Sequence, residues 1–130
     1  MAVTHLAAGL QAATNAVTAL IGTSGDLVFR LSGTAASPGT AVATLPLSAT
    51  AFGSAATSGI ATANAITSDT DATGNGSAVA SATLQTSGGV VVIHCAVAAS
   101  ASDINMTNGL TVANGDTVSC SSLTYQAISA

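Results

Sequence analysis

The chain carries almost no charge. Among its 130 residues Arg30 is the one basic side chain, and the five acidic side chains are all Asp, because Lys and Glu are absent. Ordinary nucleic-acid binding requires Lys and Arg to neutralise phosphates, and docking on anionic membranes requires basic clusters, so both are excluded. An ordinary globular domain carries charge on roughly a quarter of its residues. This surface therefore consists of hydroxyls, small apolar groups and backbone, which suits permanent contact with other subunits.

Aromatic residues are nearly as scarce, with two Phe, one Tyr and no Trp. Carbohydrate-binding modules usually present exposed aromatic platforms, and this chain has little from which to build one. No acid pair typical of glycosidases is recognisable either, because Glu is absent and the Asp residues are predicted to lie in loops. Neither a G-x-S-x-G nucleophile elbow nor a complete glycine-rich dinucleotide loop is present. We therefore expect no enzyme, no catalytic residue and no cofactor.

Long hydrophobic runs are absent as well. Residues 3–21 include His5, Gln11 and Asn15 and are too polar to span a bilayer, and the apolar run at 90–99 is too short. The N-terminus lacks the positive region of a secretory signal. We expect the protein to be made in a cytoplasm and kept there until it is assembled into a larger structure.

The composition is dominated by Ala, Thr, Ser and Gly, which supply 77 positions. Disorder goes with low hydrophobicity and high net charge, whereas this chain has a mean hydropathy of +0.63 and a net charge of −4. We predict one folded domain over residues 1–130. Because much of the apolar content is Ala, the core is light, and oligomerisation is the usual remedy for a weak core.

One helix is predicted near the N-terminus, over about residues 5–21, with Thr4 as its N-cap and Gly22 as its stop. Its apolar residues recur at helical spacing and form one stripe. We expect this stripe to pack into the core in preference to another subunit. The stripe comprises Leu6, Leu10, Ala13, Val17, Leu20 and Ile21.

The rest of the chain reads as about eight short strands separated by turn residues, which predicts a β-sandwich or jelly roll. Pro46 restricts its strand to a sheet edge or bulge, and Phe52 is expected to fold back into the core. Asn114-Gly115 indicates a type I′ hairpin, and a bulge near 121–122 would reconcile the phases of Val118 and Leu123. The predicted strands are 27–32, 41–47, 60–67, 77–86, 90–98, 104–107, 110–113 and 116–128.

The two cysteines are interpreted first as small buried hydrophobic residues, Cys95 beside Val91, Ile93 and Val97. A Cys95–Cys120 disulfide stays open as an alternative, although no feature indicates an oxidising compartment. Zinc binding is the weakest alternative, because His94 and Cys95 are adjacent in a strand and point to opposite faces.

Residues 69–74 (DTDATG) resemble the first half of a calcium loop. The bidentate Glu expected at the twelfth position is replaced by Ala80, so a polar turn is favoured over a weak calcium site. We predict no metal site.

Three stretches together resemble a family of small virion proteins from tailed bacteriophages, some of which are capsid cement or decoration proteins. They are GDLVFRLSGT at 25–34, AVATLPLSATAFGSAATSGIATANA at 41–65, and DINMTNGLTVANGDTVSCSSLTY at 103–125. Residues 77–84 depart from the family pattern. The resemblance implies a β-sandwich that assembles as an oligomer on the virion, with a trimer favoured, and it carries over no catalytic residue.

On this basis we expect a capsid cement protein that binds the major capsid protein on the capsid surface, with neither nucleic acid nor membrane as a partner. Two alternatives remain open in neighbouring classes. One is a tail or baseplate component, and the other is an extracellular, pilus-like binding module, which the Thr and Ala content favours and the missing signal peptide disfavours. An ice-binding surface would need a regular Thr-x-Thr ladder, which is absent.

Overall fold

The computed structural model describes residues 3–128, which form one helix and seven strands. The predicted single domain over 1–130 therefore extends at each end beyond the described residues. Helix α1 spans Ala7–Ala19, and the strands are β1 Asp26–Arg30, β2 Ala41–Pro46, β3 Ile60–Thr62, β4 Ser81–Gln85, β5 Val91–Ala98, β6 Ile104–Asn105 and β7 Thr124–Gln126. The predicted mainly β fold with one N-terminal helix is confirmed.

Five strands form one sheet in the order β2-β1-β4-β5-β6, and β3 pairs with β7 in a separate two-stranded ribbon. All pairs are antiparallel except β5 with β6. Strand β2 lies at the sheet edge, where the missing N–H of Pro46 breaks no ladder. Of the two positions predicted from Pro46, an edge or a bulge, the structure shows the edge.

The inner face of the sheet builds the core by cross-strand packing of apolar side chains. Leu27 of β1 lies opposite Leu45 on one side and Leu84 on the other, and all three are at most 1% exposed. The two-stranded ribbon covers the same core, to which Ala61 and Tyr125 contribute. Phe52 is 5% exposed within this cluster, as predicted.

Several strands are shorter than predicted, because single bridges replace continuous pairing. The predicted strand 60–67 ends at Thr62 and continues only as bridges at Ala63 and Ile66. The predicted strand 110–113 is reduced to one bridge between Thr111 and Ala78. In the stretch 116–128, Val118 bridges to Asp69, and regular pairing begins only at Thr124.

The Asn114-Gly115 hairpin prediction is wrong. Gly115 has a φ of +86°, but Asn114 is not among the residues with positive φ, and a type I′ turn requires positive φ at both central positions. The flanking segments pair with other parts of the chain instead of each other. The predicted bulge is also replaced by a break in regular structure, across which Val118 and Leu123 both reach the core.

Candidate interaction surfaces

Helix α1 is attached to the body by its polar side. The Thr14 hydroxyl donates to the Gly59 carbonyl at 2.6 Å and accepts from the Ala127 N–H at 2.9 Å. Gln11 donates to the Ala55 carbonyl at 2.7 Å, and the Asn15 side-chain oxygen accepts from the Ala55 N–H at 2.8 Å. These side chains satisfy backbone groups that strand pairing leaves free, and buried backbone groups require such partners.

This orientation contradicts the expectation that the whole apolar stripe packs into the core. Leu10 and Ile21 are buried, but Leu6 is 80% and Leu20 is 66% exposed. The body meets α1 with open backbone groups in addition to apolar side chains, so the helix turns its hydroxyl and amide side chains inward. The sequence contained a signal for this arrangement, because its polar residues also recur at helical spacing. They are Gln11, Thr14, Asn15 and Thr18.

The N-terminal end of the helix differs from prediction, and the C-terminal end agrees with it. Leu6, not Thr4, is the N-cap residue, and no side chain caps this end. Gly22 does end the helix, with a φ of +70° and an N–H that donates to the Ala19 carbonyl at 3.1 Å, as expected for a glycine beyond a helix C-terminus.

Exposed large apolar side chains are concentrated around α1. Of the six in residues 3–128, two belong to the helix ends, one precedes the helix, and two lie in or beside β3 and β7, which both contact α1. They are Val3, Leu6, Leu20, Ile60 and Ile128. The sixth, Val90, precedes β5. Concentrated exposed apolar surface commonly marks an interaction site.

The outer face of the five-stranded sheet is organised by Arg30. Its guanidinium donates to the Thr83 hydroxyl at 3.0 Å, the Gln85 side-chain oxygen at 2.9 Å and the Gly39 carbonyl at 2.8 Å. The last bond ties the loop at 33–40 to the sheet, where Gly39 packs so closely on the Ser32 backbone that no side chain would fit. Arg30 is thus occupied within the protein.

The Asp side chains are used in a similar way. Asp69 accepts from the N–H groups of Thr44 at 2.8 Å and Asp71 at 3.1 Å. Asp103 accepts from the Ala96 N–H at 2.9 Å, and Asp116 from the Ala113 N–H at 2.8 Å. The polar-turn interpretation of residues 69–74 agrees with this geometry, because both carboxylate oxygens of Asp69 hold the protein's own backbone. Within residues 3–128, no three His, Cys or Asp side chains cluster as metal ligands would.

A polar cleft of about 600 Å³ opens between residues 103–112 and 116–124, with Phe29 also in its lining. Hydroxyls, amides and the carboxylates of Asp103 and Asp116 make up much of its wall. The sequence patterns did not predict this cleft, because the two segments that line it were interpreted as regular strands.

Both cysteines are half-buried free thiols, so the disulfide alternative is not realised. Burial raises the pKa of the Cys95 thiol to about 11, and the nearby Asp103 carboxylate adds to the rise. Burial also raises the pKa of Cys120, and a backbone hydrogen bond at Ser122 lowers it by a smaller amount. Such thiols are poor nucleophiles at neutral pH. The register places Cys95 opposite Ala82 and His94 opposite Thr83, on opposite faces of β5 as predicted.

Comparison of the chain with protein-family models, curated proteins and solved structures found no match. Across residues 3–128, no helix is both long enough and apolar enough to cross a membrane.

Proposed function

We propose that this protein is a bacteriophage virion structural protein, specifically a capsid cement (decoration) protein that binds the major capsid protein lattice on the virion surface as a symmetric oligomer. The three stretches at 25–34, 41–65 and 103–125 support this proposal by their resemblance to small virion proteins. The mainly β fold with a short N-terminal helix is compatible with it.

The observation that carries the proposal is how the protein uses its few charges. Four of its six charged side chains, Arg30, Asp69, Asp103 and Asp116, are hydrogen-bonded to the protein itself. With six charged side chains in 130 residues and four of them engaged in such bonds, few charges are left for ion pairs with a partner. Exposed apolar side chains, hydroxyls and backbone remain as the means of contact, and such contacts are only weakly sensitive to salt.

A surface of this kind suits a mechanical role. Each subunit bridges neighbouring capsomers through contacts of modest individual energy, and an oligomer engages several of them at once. Linked contacts multiply the binding strength far beyond that of one contact. We expect particles that lack the protein to form normally and to be physically weaker.

The test compares particles with and without the protein, from one preparation, during heating and at raised salt. The proposal expects decorated particles to survive to higher temperature and to keep the protein at high salt. Adding purified protein back to bare particles should restore heat survival, which controls for differences between preparations. Equal survival of bare and decorated particles contradicts cementing, and release by moderate salt contradicts the apolar contact mechanism.

Electron microscopy of the virion decides between the capsid and other positions. Density for the protein on the outer capsid lattice supports the proposal. Density confined to the tail or baseplate rejects the capsid role and favours the neighbouring structural class.

A further inference from the structure

We propose that two copies of this chain associate through one flank of α1, with the two helices antiparallel and related by a two-fold axis at Ala13. The flank consists of Leu6, Gly9, Ala13, Val17 and Leu20, which we call the outer stripe. Leu6, Gly9 and Leu20 are exposed, and Ala13 and Val17 between them are half-buried. The inference rests on the proposed function and makes its oligomer a dimer, in place of the trimer that the resemblance implies. Its tests use no capsid, so it can fail while the cementing role stands.

The leucines at the two ends of the outer stripe are exposed to solvent. Leu6 and Leu20 are among the most exposed large apolar residues of the described chain, at 80% and 66%. The opposite side of the helix is occupied, because Thr14, Gln11 and Asn15 bind the body. These hydrogen bonds fix the inward side of the helix, so the helix cannot rotate to bury its leucines. Only a second molecule can cover them.

The spacing of the outer stripe is symmetric about Ala13. Leu6 and Leu20 each lie seven residues from Ala13, and Gly9 and Val17 each lie four residues from it. In an antiparallel pair of identical helices, Leu6 of one copy therefore meets Leu20 of the other, twice. Gly9 meets Val17, so that a large side chain lies opposite a small residue. A self-complementary patch of this kind is what a two-fold interface requires.

The negative charges of the protein lie away from α1 in the sequence. The protein has a net charge of −4, so two copies repel each other wherever Asp residues come together. The Asp residues lie in β1 or in loops, at positions 26, 69, 71, 103 and 116, and none lies in α1, β3 or β7. Two copies can therefore meet at the helix face without bringing negative charges together. The absence of Asp there favours a second copy over a basic partner.

A contact made by α1 alone would be small for a stable dimer. A stable interface usually takes about 20–30 residues on each partner. One face of a 13-residue helix supplies fewer residues than that. Ile60 lies in β3 and Ile128 lies just beyond β7, the two strands that contact α1. Both side chains are exposed, and we expect them to extend the interface. Small residues at Gly9 and Ala13 allow the helix axes to approach to about 8 Å.

The first experiment measures the mass of the full chain in solution by sedimentation, with and without Leu6→Ser and Leu20→Ser together. The wild-type chain should have twice the mass of 12.2 kDa, and the double variant should dissociate with a dissociation constant at least about tenfold higher. Val90→Ser is the matched control, because Val90 is also 65% exposed but lies outside α1, β3 and β7. An unchanged mass of the double variant, or a wild-type mass of three copies, overturns the proposal.

The second experiment locates the axis and does not depend on how the double variant folds. Ala13→Cys, in a background of Cys95→Ala and Cys120→Ala, should form a disulfide between two copies on mild oxidation, since the two Ala13 positions face each other within disulfide reach. Ala19→Cys is the control on the same helix, about 120° away around its axis. Equal cross-linking at the two positions, or none at Ala13, contradicts the two-fold arrangement.

Discussion

The five-stranded sheet and helix α1 are attached to the rest of the protein in different ways. In the sheet, Leu27 packs between Leu45 and Leu84, and all three side chains are almost completely buried. At the helix, Thr14 bonds to backbone groups of the body while Leu6 and Leu20 remain exposed. The sheet uses its apolar residues to hold one chain together. The helix leaves two of its large apolar residues, Leu6 and Leu20, exposed at its ends.

The largest expected effect lies in the sheet. Leu27→Ala removes a fully buried side chain and should lower the free energy of unfolding by about 2–5 kcal/mol. Leu20→Ala is the matched control, measured at a protein concentration low enough to keep the chain monomeric, and should change it by less than about 0.5 kcal/mol. Chemical denaturation of both variants provides the comparison. Similar losses in the two variants would contradict the difference between sheet and helix.

The next effect tests the polar attachment of α1. Thr14→Val keeps the shape of the side chain but leaves the Gly59 carbonyl and the Ala127 N–H without their partner. The free energy of unfolding should fall by about 1–3 kcal/mol, and amide exchange in α1 should accelerate. Thr18→Val is the control, because the Thr18 hydroxyl bonds only to carbonyls of its own helix. If Thr14→Val and Thr18→Val have equal effects, the polar attachment is not what holds the helix.

A smaller effect is expected at the outer face of the sheet. Arg30→Lys retains the charge but cannot reproduce the three guanidinium bonds to Thr83, Gln85 and Gly39. We expect a loss of about 1–2 kcal/mol and faster exchange of the Leu31 N–H, which donates to Thr40 at the end of the same loop. Unchanged exchange at Leu31 would show that Arg30 does not hold the loop at 33–40.

The last effect concerns pH, and it appears only in alkaline solution. Burial raises the pKa of Cys95 in the folded protein from its ordinary 9.0 to about 11, so the unfolded chain loses the thiol proton first. The free energy of unfolding should therefore be unaffected by this group below pH 9 and should fall between about pH 9 and 11. Cys95→Ala should flatten that fall more than Cys120→Ala, whose thiol is less buried. Parallel profiles of wild type and Cys95→Ala would contradict this assignment.

Local patterns in the sequence predicted the sheet well, because its strands are short apolar runs bounded by turn residues. The strand containing Leu27 and Phe29, the long strand β5 and the edge position of Pro46 all follow from side-chain periodicity and the missing proline N–H. The segment 110–128 was predicted poorly. Its backbone groups pair with Asp69, Ala72 and Ala78 from distant parts of the chain, and such partners leave no periodic signal.

The interaction surface was harder to predict than the fold. The helix and its apolar stripe were recognised from helical spacing, but the sequence carries a second, polar stripe at the same spacing. Which of the two faces the body depends on the open backbone groups at Ala55, Gly59 and Ala127. Those groups exist only once the ribbon of β3 and β7 has formed, so the helix pattern alone could not reveal them.

The central claim is that this protein acts through an apolar contact surface and not through charge. The most direct test is the mass of the purified full chain at micromolar concentration, measured by light scattering in about 0.05 M and about 1 M NaCl, where screening differs several-fold. The account predicts an oligomer of the 12.2 kDa chain with the same mass at both salt concentrations. A single monomeric species, or an oligomer that dissociates as salt is raised, would contradict it.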